Sequence, residues 1–277
     1  MAGVGTYPNE LSGISKTSTI KVIPPPGQIY GFAPPQVIFV VLFLTDFVSL
    51  MGFFVTPDRN EPPAPPTNIT VQRAGSQFSS INLTLGFRFL GIDKNLAYLN
   101  AKNYFETLLE ELVLDLTLLK KEVVLNRKFN NRISQSMQDA AERFIPSYIT
   151  PMAAVAGSIA DNILKVLIDN THLEKAYVNN GGDISFYLNE NQTMKGSLAA
   201  IPNMITEIKH KNSSRGIATS GWRGKSFSRG IADSVTVLAK NAAIADAAAT
   251  MIGNAVDIYD HPNIKKKPAN FIYDDSD

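Results

Sequence analysis

Read as a pattern of apolar and polar positions, the chain falls into four unequal stretches. Residues 1–35 are polar and rich in proline, with Pro24-Pro25-Pro26 and Pro34-Pro35, which predicts an extended lead-in with no core of its own. Residues 36–56 are the reverse. In Val37–Val55, fifteen of nineteen residues are large and apolar, and one, Asp46, is an acid. That length matches the roughly 20 residues needed to cross a bilayer. At ~0.3–0.6 kcal/mol favourable per Leu, Ile, Phe or Val, the stretch outweighs the ~2.5–3.5 kcal/mol cost of a central Asp. It therefore predicts membrane contact through residues 37–55, with a pair of buried β-strands as the alternative, because Val, Ile and Phe dominate. The chain is membrane-anchored on the first reading and cytoplasmic on the second. Residues 57–67, containing Glu61–Thr67 (EPPAPPT), form a Pro-rich linker, and residues 68–277 have the composition of one globular domain.

Within that domain the periodicity switches between two and 3.6. Ile81–Phe89 alternates and predicts a half-buried strand. From Asn100 to Lys121, Tyr104, Phe105, Leu108, Leu109, Leu112, Leu116 and Leu119 recur at helical spacing, so this Leu stripe predicts a core-facing helix. A shorter helix is expected over Ser134–Phe144. Thr150 followed by Pro151 is a strong helix start, and the helix should run to Asp169. Its first half is Ala, Gly and Ser, so another group approaches its backbone closely. Lys175–Tyr187 reads as strand, Gly turn, strand, with Asn180-Gly181-Gly182-Asp183 as the hairpin. Met194–Ile201 is a further strand and His210–Ser214 a surface loop. Ser234–Ala239 (SVTVLA) predicts a buried strand, and Asn241–Asn254 an Ala-rich helix with Asn241 as N-cap.

Composition removes several function classes. A net charge of +1 provides no bulk field for nucleic acid, and no nucleic-acid partner is expected. The chain has no cysteine, which excludes disulfides, thiolate metal sites and a Cys nucleophile. Its three histidines, His172, His210 and His261, never stand at metal-ligand spacing. Gly224-Lys225-Ser226 resembles the end of a phosphate-binding P-loop, but the position requiring its first Gly is Thr219.

The candidate chemistry lies between Arg215 and Asn254. Asp246 and Thr250, four apart on the Ala-rich helix, leave one face a turn apart. An acid and a hydroxyl among alanines can serve a ligand, or can serve the helix itself through its dipole and an i−4 bond. Both readings stay open on spacing alone. The glycines of the hairpin are explained by the turn, with a phosphate-facing backbone as a second use.

Four motifs in order resemble an ApbE-type domain: Thr150–Gly157 (TPMAAVAG), Val178–Ile184 (VNNGGDI), Gly216–Gly221 (GIATSG) and Ala245–Thr250 (ADAAAT). The superfamily includes the Mg²⁺-dependent FAD:protein FMN transferases, and the nearest likeness is to its uncharacterised bacterial and archaeal branch. The resemblance covers roughly Ser76–Asp277. It implies an α+β, T-fold-related domain with a mixed or antiparallel sheet and packed helices. It further implies Mg²⁺ on Asp246, Thr250 and a backbone carbonyl at Ala153 or Ala154, and FAD or FMN as the small-molecule ligand. Asn180, Gly181, Gly182, Asp183, Thr219, Ser220 and Gly221 would then line the dinucleotide site, with Arg223 and Lys225 (and Arg215 and Arg229) neutralising phosphates. The chain departs from the transferases at two points. Lys225–Gly230 stands where they carry His-x-x-Asp-Pro-x-x-Gly, and Gly157 where they carry Lys. Three functions follow as expectations: a divergent Mg²⁺-assisted flavin- or nucleotide-handling transferase, a flavin or small-molecule binding protein without turnover, and a membrane-assembly component acting through Asp46.

Overall fold

A computed structural model describes residues 40–43, 53–55, 67–71, 81–89, 94–169, 171–198, 205–224, 227–268 and 271. Its centre is a seven-stranded sheet in the order β1-β10-β9-β6-β5-β4-β3, with every neighbouring pair antiparallel. These strands are β1 (Val40–Phe43), β3 (Thr67–Val71), β4 (Ile81–Phe89), β5 (Leu173–Asn180), β6 (Asp183–Leu188), β9 (Gly216–Ser220) and β10 (Ser234–Ala239). A second, three-stranded sheet joins β2 (Phe53–Val55), β7 (Thr193–Leu198) and β8 (Ile205–Lys209) in the order β2-β7-β8. The helices are α1 (Lys94–Leu119), α2 (Arg132–Ala141), α3 (Val155–Ile168) and α4 (Ala242–Ala255). The fold is α+β, as expected.

The period-two alternation of the strands assigns the two faces of the large sheet. Ala176 and Val178 of β5, Ala218 of β9, and Val235, Val237 and Ala239 of β10 face the helices. Ile184, Phe186 and Leu188 of β6, Ile217 of β9 and Leu238 of β10 face away and bury Met194 and Ile208 of the small sheet. On the helical side, Phe105, Leu108 and Leu112 of α1 pack with Ile159, Ile163 and Leu167 of α3 and with Ile133 and Met137 of α2. The Leu stripe is core, as its spacing indicated. The segment Pro151–Ile168 is long and apolar enough to cross a membrane, but nine of the fourteen residues of α3 are buried within this packing.

Of the apolar stretch 37–55, the described pieces are strands: β1 pairs Val40–Phe43 with Val237–Ser234, and β2 pairs Phe53–Val55 with Leu198–Gly196. Asp46 and the remaining residues of the stretch lie outside the described residues, as do residues 1–39 and most of the linker. Three strands escaped the sequence reading, β3, β8 and β9. The last is short, with only Ile217 and Ala218 apolar before Thr219 and Ser220, so its pattern is too brief to mark a strand. α1 starts six residues earlier than its Leu stripe, at Lys94. The turn Pro151–Ala154 is a 3₁₀ segment that precedes α3 rather than part of one continuous helix, with Thr150 in the extended N-cap conformation and Pro151 at the first position.

Two glycines set the spacing of α4 against the rest. A Cβ on Gly157 would lie 2.3 Å from the Ala242 carbonyl oxygen, and one on Gly216 would lie 2.0 Å from the Asn241 carbonyl carbon. Both neighbours are backbone, so neither can yield without moving the start of α4. Gly157→Ala is expected to lower unfolding stability by about 1–3 kcal/mol, the usual cost of forcing extra volume into a packed interior. Urea unfolding measures this, and an unchanged midpoint would show that the two helices are free to separate.

Candidate functional site

Helices α3 and α4 meet near their N-terminal ends, where each has backbone N–H groups with no partner inside its own helix. Asn241 caps α4 locally, its Oδ1 accepting from Ile244 N at 2.9 Å. The amides of Ala242 and Ala243 are satisfied by the other helix: Asp161 of α3 accepts from Ala242 N at 3.0 Å and from Ala243 N at 2.9 Å. Asp161 also accepts from the Ser185 hydroxyl of β6 at 2.6 Å. The arrangement is reciprocated. Asp246 of α4 accepts through Oδ2 from Gly157 N at 3.0 Å, and the nearby Ala156 amide favours its charged form. Thr150 makes no side-chain cap bond and Ala154, at the α3 N-cap position, has no side chain able to do so. Asp246 therefore does for α3 what Asp161 does for α4.

A third acid enters from the sheet. Asp183 begins β6, just past the Gly181-Gly182 turn, and Ser185 two residues on faces the helices. Asp183 Oδ1 accepts from Thr219 N of β9 at 3.2 Å. Burial pushes the Asp183 carboxyl up to about 7, only partly countered by that amide. Burial also raises Asp246 well above the ordinary carboxylate range, and the neighbouring charge of Asp183 raises it further; the Gly157 and Ala156 amides act the other way. Asp161 is raised by burial too, against the opposing pull of its hydroxyl and amide donors. As whole residues Asp183 and Asp246 are half-buried, while their carboxyl groups are desolvated enough for burial to dominate their shifts.

The other expected residues distribute themselves around this pair. Thr250 is half-buried one turn along α4 from Asp246, and Gly253 continues the same stripe. A Cβ on Gly253 would meet Ser228 Oγ at 2.8 Å, and Ser228 Oγ shares a 3.0 Å hydrogen bond with Ser220 Oγ. Asn180 Nδ2 donates to the Ala156 carbonyl at 3.1 Å, tying β5 to the start of α3. Ala153 and Ala154 stand in the 3₁₀ turn one step before the Asp246-bound amides. Gly181 and Gly182 adopt φ of 67° and 114°, values that favour glycine, in a two-residue loop between the paired Asn180 and Asp183. Asn179 Oδ1 accepts from Gly182 N at 2.8 Å and fixes that turn.

Thr219 is divided. Its amide reaches Asp183, while its hydroxyl bonds Thr236 Oγ1 at 2.9 Å across β9 and β10. Gly221 is packed so tightly that a Cβ would fall 2.1 Å from the Asp233 carbonyl oxygen. Beyond it, Asp233 accepts from Trp222 Nε1 at 2.8 Å and pairs with Arg223 Nε at 3.1 Å, and the Arg223 guanidinium lies 4.8 Å from the Trp222 ring centre. Arg215 is bound to the carbonyls of Asn212, Ser214 and His210, within its own loop. Arg229 is exposed, and Lys225 lies outside the described residues. The sequence reading missed Asp161 as the cap of α4 and Asp183 as the electrostatic partner of Asp246. The Asp-x-Ser spacing of Asp183 and Ser185, on one strand face beside an Asp-bearing helix, was the signal that could have found them.

Residues 70–277 match the family described as AbpE bacteria. The chain belongs to that family. It is also 42% identical over 121 residues to a UPF0280 protein of Methanococcus maripaludis, covering 41% of this chain and 48% of that protein. A UPF0280 protein of Methanothrix thermoacetophila is 40% identical over 113 residues (39% and 47% coverage), and one of Methanobrevibacter smithii is 41% identical over 111 (38% and 46%). The chain thus spans about half the length of the curated relatives it matches.

The raised carboxylates carry a definite pH dependence. A carboxyl whose folded pKa exceeds its unfolded value binds more protons when folded, so stability falls as pH rises through the interval between the two. For Asp183 that interval runs from 3.8 to about 7. In chelator-treated protein the melting temperature is expected to fall between pH 4.5 and 7.5. Asp183→Asn should flatten that fall, because it removes both the titrating group and the charge acting on Asp246. Equal pH slopes for variant and parent, by scanning calorimetry, would refute the assignment.

Proposed function

We propose that the family domain of this chain is a divergent ApbE-type, Mg²⁺-assisted flavin- or nucleotide-handling transferase, with Asp246, Thr250 and Asp183 at its centre. The observation that carries the reading is the meeting of Asp183 and Asp246. Two acids from distant parts of the sequence are brought together although each raises the cost of ionising the other. A divalent cation relieves that cost. The donor set suits a hard ion: carboxylate oxygens, a hydroxyl one turn away and the carbonyl-bearing turn at Ala153 and Ala154. Among the described residues no group of three or more His, Asp or Glu side chains gathers as a metal site, so a cation here would keep coordination positions for ligand oxygens.

When bound, Mg²⁺ would supply Lewis-acid polarisation of a phosphoryl oxygen. The chain's own groups have separate tasks. The Gly157 amide holds the Asp246 carboxylate in place, and it and the Ala156 amide favour its ionised form. The Thr219 amide does the same for Asp183. Gly181 and Gly182, without side chains at the mouth, leave room for a pyrophosphate to approach backbone. Trp222, 44% exposed and steadied by Asp233 and Arg223, offers a flat face for an aromatic ring.

A second reading is binding without turnover. The segment Gly221–Gly230 supplies no carboxylate or imidazole, and its described part is held by Ser228 N to Gly221 O and Phe227 N to Gly224 O. It thus lacks a general acid or base where the transferases carry their His segment.

Calorimetric titration of FAD, FMN and ADP into the full-length chain, with and without Mg²⁺, tests both readings. Mg²⁺-dependent binding of FAD or ADP is expected, with at least a tenfold loss in Asp246→Ala. FAD recovered intact after prolonged incubation with Mg²⁺ and acceptor proteins would favour the binding reading. No binding of any of the three would sink both.

A further inference from the structure

One concavity among the described residues has a lining that includes neither Asp183 nor Asp246. It is a cleft of about 520 Å³ between α2, the later part of α3 and the start of α4. Lys165, which lines it, is eight residues along α3 from Gly157, about 12 Å by helix rise.

The cleft has two kinds of wall. Its apolar part comes from Phe129, Ala140 and Ile244, which are partly or fully buried and belong to the two helix-side cores. Its charged part comes from Arg132 and Arg143 of α2 and its continuation, and from Lys165 of α3. All three cations are exposed and hold no side-chain hydrogen bond or ion pair among the described residues, although Lys165 acts electrostatically on Asp161 one turn earlier on α3. The cleft's single acid, Asp139, is engaged by Gln135 Nε2 at 2.6 Å, and Gln135 is fixed in turn by accepting from Phe129 N at 2.9 Å. Among the lining side chains three cations stand against one acid, in a chain whose total charge is +1, with Asp161 behind Lys165 as a further acid. Neighbouring surface cations repel one another, and a concave surface concentrates their field on what enters.

We propose that this cleft is a binding site for a small organic phosphate, its phosphate held by Arg132, Arg143 and Lys165 and its carbon skeleton against Phe129, Ala140 and Ile244. The two walls specify this class: an apolar ligand gains nothing from the cations, and an inorganic anion gains nothing from the floor. Guanidinium groups hold phosphate through paired N–H donors, which favours phosphate over a single-point anion such as chloride. The site needs neither Asp183 nor Asp246, so it stands or falls independently of the function proposed above.

The test is calorimetric titration of the full-length chain, free of divalent cations, with phenyl phosphate, inorganic phosphate and phenol. Phenyl phosphate is expected to bind saturably and at least tenfold more tightly than either of the others. Arg143→Glu combined with Lys165→Glu, both on exposed positions, should weaken it at least tenfold while leaving the melting temperature within a few degrees. Asp246→Asn should bind phenyl phosphate like the parent. Absence of saturable binding, or equal binding by the double variant, would overturn the site. Equal affinity for inorganic phosphate would overturn the assignment to an organic ligand.

Discussion

The exchange of carboxylates between α3 and α4 is the interaction on which the rest depends. Each helix begins with amides that lack partners, and each receives an acid from the second turn of the other. The exchange works only at close range, and Gly157 makes that range possible by letting the Ala242 carbonyl pass where a side chain would stand. Alanine fills the remaining contact surface because anything larger would push the helices apart and strand the amides. Hydrogen bonds to charged acceptors contribute about 1.5–3 kcal/mol each, and leaving their buried donors unmatched costs a similar amount. The Ala-rich composition of α4 is therefore a condition for capping as well as for helicity.

The same arrangement explains why an acid lies beside the sheet at all. Asp246 is held by α3, so its position is fixed before any ligand arrives, and β6 brings Asp183 to it through the tight Gly181-Gly182 turn. Here one oxygen, Oδ2, accepts from the Gly157 amide, while the neighbouring Asp183 makes the ionised state expensive. The local fold orients the group, and the longer-range electrostatics make its charge costly.

How much of this could be read in advance depended on distance along the chain. Asn241 as N-cap, SVTVLA as a buried strand and the Asn-Gly-Gly-Asp hairpin are local patterns, and the structure has all three. Strand β4 took the bounds its alternation gave. The strand β9 was invisible because its Gly216 is set by contact with Asn241 rather than by strand propensity, and its Thr219 spends its hydroxyl on Thr236. Asp161 looked like one more polar residue in an amphipathic helix, since its partners stand 81 and 82 residues later. Spacing placed Asp246 and Thr250 on one face, but only the fold could supply Asp183.

Sequence separation has a further consequence during synthesis. When the ribosome has finished α3, the groups that complete it are still unmade: the Gly157 amide must wait 89 residues for its acceptor. At about 5–20 residues per second the wait lasts roughly 4–18 s. Through that time the Gly157 amide has no Asp246 and Asp161 has no Ala242 or Ala243 amide to accept from. The start of α3 is thus completed only by a helix made much later, α4.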